Sequence, residues 1–127
     1  MSATSLPRVL VVDDEELLAR VIARLLASRG VAVDVAGHGG EAIAKLGCEA
    51  YQLVVTDLMM PVVDGEQLVR WMREEAKLDT PVIVLSAIRD ASLHERLEAL
   101  GVSAILNKPQ DMEDFLQRAV DLAGGNA

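Results

Sequence analysis

Short β-branched runs that end in charged residues are the feature that most constrains the fold of this chain. Asp13 and Asp14 end one such run, Asp57 ends a second, and Lys108 comes just after a third. Short apolar runs of this kind are typical of buried strands in a parallel sheet. Because parallel strands present their carboxyl ends at one edge, where ligands bind, we expect these four residues to converge in one pocket.

Three carboxylates in one pocket would repel one another unless a cation lay between them. Oxygen ligands alone favour Mg²⁺ or a similar hard metal such as Mn²⁺. Lys108 would add a second positive charge, directed at an anion. The acids at 13–16 have another explanation, since the dipole at a helix start favours acidic residues. That explanation does not account for Asp57 and Lys108 at matching strand ends.

The chain alternates strand-like and helix-like segments five times. This alternation predicts an α/β fold with right-handed crossovers and helices on both faces of a parallel sheet. The predicted strands are 8–12, 31–36, 52–56, 81–86 and 103–106, and the predicted helices are 15–29, 40–46, 66–76, 90–101 and 111–123.

Local signals refine this outline. Gly30 suits a left-handed cap after the first helix, and Asp34 marks the second strand as an edge strand. Gly47 is expected to end the short second helix, Gly65 to supply a positive φ, and Asp90 to cap the fourth helix. The first helix should bury one apolar stripe, made of Leu17, Leu18, Val21, Ile22, Leu25 and Leu26.

Composition narrows the class of protein. With 127 residues we expect one domain over 1–127, with a core at about 8–122 and short tails at 1–7 and 123–127. No apolar run approaches the roughly 18 residues that span a membrane. The net charge of −8 argues against direct nucleic-acid binding. The single cysteine, Cys48, fits a reducing cytoplasm and packing at a helix end.

Four segments of the chain resemble the response regulator receiver family of two-component signalling. They are Val11–Glu15, Thr56–Gly65, Leu85–Ala87 and Asn107–Pro109, in the family's order and close to its spacing. The resemblance implies a flavodoxin-like (βα)5 fold, doubly wound around five parallel strands in the order 2-1-3-4-5. The periodicity alone does not give that order.

The resemblance also implies roles for the charged residues. Asp57 would be the phosphoacceptor, taking a phosphoryl group from a histidine kinase or a histidine phosphotransfer protein. Asp14 would bind Mg²⁺ directly, together with Asp57 and the backbone carbonyl of Met59, while Asp13 would act through water. Lys108 would contact the phosphoryl oxygens.

A second group of residues would make the switch. Ser86 would donate its hydroxyl to the phosphoryl group and draw the following loop inward, and the small Ala87 would leave access to the site. Pro109 would aim the preceding lysine into the pocket. Ile105 and Gln110 stand where the family usually carries aromatic residues. Both fall on the face of the fourth helix, fifth strand and fifth helix, the family's usual partner surface, so we expect a non-standard output surface there.

The function implied is a phosphorylation-dependent switch of protein–protein contacts in bacterial signalling or a phosphorelay. Such a domain catalyses its own phosphorylation and dephosphorylation and is not a conventional enzyme. Two variants of this interpretation stay open: a receiver fragment of a larger regulator or hybrid kinase, and a pseudo-receiver that is never phosphorylated. The two histidines, His38 and His94, have no part in it and are expected on the solvated surface.

Two functions of other classes fit less well. A Mg²⁺-dependent phosphohydrolase of small molecules would need an acid two residues after its nucleophile, where Met59 stands. A flavin- or nucleotide-binding domain would need a glycine- or hydroxyl-rich loop after the first strand, where 13–16 are acidic. Because Met59 offers no group that orients water, we also expect slow self-dephosphorylation.

Overall fold

A computed structural model describes residues 6–107 and 112–124. Within these residues, five strands and five helices alternate along the chain. The strands are Arg8–Val12 (β1), Ala32–Ala36 (β2), Leu53–Asp57 (β3), Val82–Ser86 (β4) and Ala104–Asn107 (β5). The helices are Glu16–Ala27 (α1), Gly39–Cys48 (α2), Gly65–Arg70 (α3), Ala91–Ala99 (α4) and Met112–Leu122 (α5), and a π-helical turn, Trp71–Glu75, continues α3.

All neighbouring strands pair in parallel, in the order β2-β1-β3-β4-β5. The expected fold class and strand order are therefore confirmed, and β2 is an edge strand as Asp34 indicated. The order reverses between β1 and β3, because the chain first builds outward to β2 and then returns to the other side of β1. That switch point is where open α/β sheets bind ligands, and it brings the ends of β1 and β3 side by side.

The sheet buries both of its faces, since successive side chains of a strand point to opposite sides. On one face, Leu10 and Val54 pack with residues of α2, α3 and α4. On the other face, Val11 and Val55 pack with residues of α1 and α5. Coverage on both sides explains why the sequences of β1, β3 and β4 contain continuous apolar runs and not alternating ones.

The apolar stripe predicted for α1 is partly wrong. Ala19, Ile22 and Leu26 are the buried residues of this helix. Leu17 is 81% exposed and Val21 is 50% exposed. At 100° per residue these two side chains lie on the side of α1 away from the sheet, so they make the helix apolar on both sides.

Three other local predictions need correction. The second helix runs through Gly47 to Cys48, because the Glu49 N–H still donates to the Lys45 carbonyl at 2.9 Å. Cys48 lies at the helix end as expected but is exposed, so it does no packing there. Gly65 does not have a positive φ; within the described residues of its loop, Val62 does, at 68°. The left-handed cap at Gly30 is confirmed, with φ of 92°.

The π-helical turn after α3 was not anticipated. Its Arg73 guanidinium donates to the carbonyls of Leu78, Thr80 and Leu100 at 2.8, 2.9 and 2.7 Å. These bonds join the middle of the turn to the segment before β4 and to the C-terminal end of α4. Burial lowers the pKa of Arg73, yet several carbonyl partners compensate for the lost hydration of the guanidinium.

Among the helices within residues 6–107 and 112–124, none combines the length and the apolar character that a membrane span requires.

Candidate functional site

Three aspartates meet at the carboxyl edge of the sheet. One carboxylate oxygen from each of Asp13, Asp14 and Asp57 lies within 4.8 Å of the others. Asp13 and Asp57 are 1% and 7% exposed, whereas Asp14 is exposed. The convergence expected from the strand ends is therefore present for the three aspartates, and one of these acids faces solvent, where a ligand can approach.

The local backbone explains how Asp13 and Asp14 reach this position. The Asp13 N–H donates to the Ala36 carbonyl at 3.0 Å, which extends the pairing of β1 with β2 by one step. The Asp13 carboxylate then accepts the Glu15 N–H at 2.9 Å and turns the chain into α1. Both aspartates are thus held between the end of a strand and the start of a helix.

A divalent cation fits this group of residues. Every donor is an oxygen, and hard cations such as Mg²⁺ and Mn²⁺ prefer oxygen ligands. Three carboxylates this close would repel one another strongly, because two unit charges 4 Å apart interact by about 4 kcal/mol near a protein surface. A cation between them would reverse the sign of that interaction. The chain therefore has an aspartate cluster suited to a divalent cation.

The loop that follows Asp57, residues 58–64, is held tightly at both ends. The buried Leu58 accepts the Gly65 N–H at 2.9 Å through its carbonyl. At the other end, Asp64 accepts the Gln67 N–H while the Gln67 side chain accepts the Asp64 N–H. This capping box fixes the start of α3, and between these anchors Met59 is 62% exposed.

Two close approaches leave room only for glycine in this region. A Cβ on Gly65 would lie 2.5 Å from the Asp57 carbonyl oxygen, and a Cβ on Gly39 would lie 2.5 Å from a methyl group of Val63. The first contact brings the start of α3 against the backbone of the site. The second packs the loop 58–64 against the start of α2.

The same loop carries local backbone strain. The Val63 N–H donates to the Pro61 carbonyl at 2.8 Å, so that Val62, with φ of 68°, is the central residue of a γ-turn. A γ-turn with positive φ is strained, and a β-branched side chain disfavours that conformation further. Val62 is also 95% exposed, so packing of its own side chain offsets little of this cost.

Ser86 ends β4, next to β3 in the sheet. It is 2% exposed, and its side-chain oxygen accepts the Ile88 N–H at 2.9 Å. Ala87, which follows it, is exposed. Ser86 is thus a buried hydroxyl at the carboxyl edge, already bonded to the loop that leads to α4.

The remaining predicted residues lie around β5. Ile105 is half-buried in that strand and lines a shallow cavity between α4 and β5. His94 lines the same cavity. It is half-buried, so the prediction that it lies on the solvated surface is wrong. The Nε2 atom of His94 is covered and has no hydrogen-bond partner among the described residues. The predictions for Lys108, Pro109 and Gln110 lie outside the described residues.

Sequence reasoning assigned no role to two polar residues that the structure brings forward. His94 is one, and its burial depends on how closely α4 packs on β5, which no local pattern reveals. Thr56 is the other: it is 0% exposed and donates its hydroxyl to the Asp57 carbonyl at 2.8 Å. A signal for Thr56 was available, since it is a hydroxyl residue in an otherwise apolar run directly before the aspartate. His38 is exposed as expected, and it caps α2 by accepting the Glu41 N–H.

Comparisons with known proteins agree with this arrangement. The profile of the response regulator receiver domain matches residues 9–120. The receiver domain of the Francisella response regulator 1452 superposes with a TM-score of 0.84 at 31% identity, covering 95% of this chain and 99% of that one. The chemotaxis protein CheY4 of Vibrio cholerae gives a TM-score of 0.81 at 28% identity, covering 91% and 99%.

Curated relatives are similar in sequence but much longer. Hybrid signal transduction histidine kinase D of Dictyostelium discoideum is 38% identical over 117 residues, which are 91% of this chain and 8% of that protein. The transcriptional regulatory protein ResD of Bacillus subtilis is 46% identical over 88 residues, which are 68% of this chain and 35% of that protein. The chain thus spans about a third or less of the length of these two relatives. The profile match over most of its length shows that it belongs to the response regulator receiver family, whose domains are phosphoacceptors in two-component signalling.

Proposed function

We propose that Asp57 is the residue that accepts the phosphoryl group. The observation that carries this proposal is the meeting of three aspartates at the switch point of the sheet. Asp57 lies at the end of β3, between β1 and β4, and its carboxylate is directed into the group formed with Asp13 and Asp14. A carboxylate in that position can act as a nucleophile toward phosphorus.

We further propose that Mg²⁺ or Mn²⁺ binds to Asp13, Asp14, Asp57 and the backbone carbonyl of Met59. When bound, such an ion neutralises charge on the transferring group and on the carboxylates. Mg²⁺ keeps several of its waters and needs few protein carboxylates, which agrees with one exposed and two buried aspartates.

The transfer itself requires little covalent chemistry from the protein. A carboxylate oxygen of Asp57 forms a bond to phosphorus, and the phosphorus–nitrogen bond of the donor's phosphohistidine breaks. The imidazole nitrogen of the donor keeps the electron pair. Most of the catalysis then comes from positioning and from charges placed around the phosphoryl oxygens. We assign one such positive charge to Lys108, with Pro109 orienting it.

Ser86 is proposed to report the modification to the rest of the domain. Its hydroxyl would leave the Ile88 N–H and donate to a phosphoryl oxygen, drawing the loop with Ala87 toward the site. Ile105 and His94, which line the cavity between α4 and β5, would repack in response. Modification would thereby shift an equilibrium between two forms of the output surface.

The proposed donor is a histidine kinase or a histidine phosphotransfer protein. Leu17 and Val21 support the choice of a protein donor, because they expose an apolar strip on α1, which begins two residues after Asp14. The target of the modified form is proposed to be another protein, and the net charge of −8 speaks against nucleic acid. We place these events in the cytoplasm and treat residues 1–127 as one receiver domain.

Intact mass after incubation with acetyl phosphate tests the proposal. The wild-type chain should gain one phosphoryl group in the presence of Mg²⁺. It should gain none after removal of the metal, and Asp57→Asn should gain none with it. An acyl phosphate is also cleaved by hydroxylamine, which separates it from a phosphoester. A folded chain that binds Mg²⁺ but gains no mass from acetyl phosphate or from a phosphorylated phosphotransfer protein would instead be a pseudo-receiver.

A further inference from the structure

Thr56 is a buried polar residue in an otherwise apolar part of the sheet. Its register partners are Val12 in β1 and Val84 in β4. Valine has nearly the same volume as threonine and has no hydroxyl that must leave water. Packing alone would therefore favour valine in all three strands. The hydroxyl of Thr56 requires an explanation other than packing.

The hydroxyl holds the peptide group that follows the acceptor aspartate. It donates to the Asp57 carbonyl oxygen at 2.8 Å, on which Gly65 also packs closely. The next N–H, that of Leu58, donates to the Leu85 carbonyl at 3.1 Å. The carbonyl of Leu58 then accepts the Gly65 N–H at 2.9 Å. The backbone from Asp57 to Leu58 is thus fixed by a side chain, a strand and a helix start.

This fixed backbone connects the two parts of the proposed cation site. The carboxylate of Asp57 precedes it and the carbonyl of Met59 follows it. Because the backbone has only two soft dihedral angles per residue, a rotation of the Asp57–Leu58 peptide would redirect both groups. The other two contacts come from backbone atoms, whereas the contact from Thr56 depends on a side chain.

We propose that Thr56 is a positioning residue for the cation site. Its hydroxyl fixes the Asp57–Leu58 peptide and thereby orients the Asp57 carboxylate and the Met59 carbonyl toward a divalent cation. The inference rests on the proposed function, which supplies the cation. Thr56 acts through the backbone and touches neither the metal nor the phosphoryl group.

Two substitutions separate the hydroxyl from the rest of the side chain. Thr56→Val keeps the volume and removes the hydroxyl, whereas Thr56→Ser keeps the hydroxyl and removes the methyl group. We expect Thr56→Val to weaken Mg²⁺ binding about tenfold and Thr56→Ser to stay within about twofold, since groups that orient metal ligands typically contribute 10- to 100-fold. Thr80→Val is the matched control. It also replaces a threonine hydroxyl, but Thr80 lies before the start of β4, and the substitution keeps the Thr80 carbonyl that accepts from Arg73.

The measurement is a calorimetric titration with Mg²⁺ alone, without any phosphoryl donor. Unfolding by urea in metal-free buffer and amide hydrogen exchange at Leu58 and Gly65 accompany it. We expect faster hydrogen exchange at the Leu58 and Gly65 amides in Thr56→Val and unchanged exchange in Thr56→Ser. If Thr56→Val does not fold, Thr56→Ala replaces it in the same comparison.

The outcomes distinguish this inference from the proposed function. Wild-type affinity for Mg²⁺ in a folded Thr56→Val overturns the inference, even if that variant is less stable. An equal loss of affinity in Thr56→Ser also overturns it, because the methyl group would then be responsible. A wild-type chain that binds no Mg²⁺ contradicts the proposed function itself.

Discussion

The side-chain oxygen of Ser86 accepts the backbone N–H of Ile88 at 2.9 Å. The bond closes a short turn between β4 and α4, and α4 begins three residues later at Ala91. If the Ser86 side chain rotates to donate its hydroxyl to a phosphoryl group on Asp57, its oxygen moves away from the Ile88 N–H and this restraint on the loop is lost. The position of the first turn of α4 therefore depends on which group the Ser86 side chain is hydrogen-bonded to.

We expect Ser86→Ala to uncouple phosphorylation from this loop. The variant should still gain a phosphoryl group from acetyl phosphate, because Asp57 and the cation site are unchanged. The amide resonance of Ile88 should shift on phosphorylation of the wild type and of Ser86→Thr, but not of Ser86→Ala. A shift of the same size in all three proteins would show that the loop moves without the hydroxyl.

Met59→Asn should shorten the lifetime of the phosphoryl group. Met59 is 62% exposed two residues after Asp57, and its thioether cannot orient an attacking water well. An amide at this position should speed the loss of the phosphoryl group by roughly tenfold, since an oriented water reacts faster. Intact mass followed over time after removal of the donor measures this rate. Val62→Asn, which puts the same amide elsewhere in the loop, should leave the rate nearly unchanged.

Val62→Asn should stabilise the protein. Val62 has φ of 68° and is 95% exposed. Asparagine tolerates this conformation better, so the free energy of unfolding should rise by about 1 kcal/mol. Urea unfolding measures the change. Lys77→Asn is the control: Lys77 also has a positive φ, at 57°, but is not β-branched, so its gain should be smaller. Equal gains would mean that the β-branch is not the source of the strain.

Arg73→Met should destabilise the protein strongly. The variant keeps an apolar stem of similar length but leaves the carbonyls of Leu78, Thr80 and Leu100 without the guanidinium. We expect a loss of about 2–3 kcal/mol in the free energy of unfolding, since partly buried acceptors lose their partner. Arg118→Met, which breaks an exposed pair with Asp114, should cost less than about 0.5 kcal/mol. Similar losses in the two variants would show that the carbonyl contacts of Arg73 do not contribute to the free energy of unfolding.

Tyr51 should ionise only at unusually alkaline pH in the folded protein. Burial and a 2.7 Å hydrogen bond to Asp34 raise its pKa. The stabilisation that follows is fully present below the ordinary tyrosine pKa of about 10 and is lost as pH rises toward the raised value. Tyr51 is the single tyrosine of the chain, so tyrosinate absorbance reports it alone. In Tyr51→Phe the loss of stability above about pH 10 should be smaller.

The sequence was sufficient to predict the elements whose pattern is local. β1, β3, β4 and β5 each contain a continuous apolar run, β2 is interrupted by Asp34, and each strand end that carries an aspartate lies where expected. Leu17 and Val21 show the limit of such reasoning, because α1 is apolar on two sides and periodicity does not say which side meets the sheet. Gly47 shows another, since a glycine inside a helix is tolerated when the next residues continue the bonding.

The contacts that cross between elements could not be predicted. Arg73, in the π-helical turn, donates to carbonyls up to 28 residues away in sequence. The burial of His94 depends on the distance between α4 and β5. Gly65 was expected to supply a positive φ. Glycine is needed there for another reason, since the Asp57 backbone approaches too closely for a Cβ. Each of these features is set by tertiary packing and has no signature within its own segment.

The polar network around Asp34 has a consequence for how this domain can diversify. Arg8, at the start of β1, and Tyr51, before β3, bond to Asp34 in the middle of β2, and five strand residues, roughly 16 Å, separate Arg8 from Asp13. Substitutions that tune stability at one end of the sheet are therefore far from those that alter chemistry at the other. Independent mutations at the two ends should combine additively, which leaves the loops at the carboxyl edge free to evolve toward new partners.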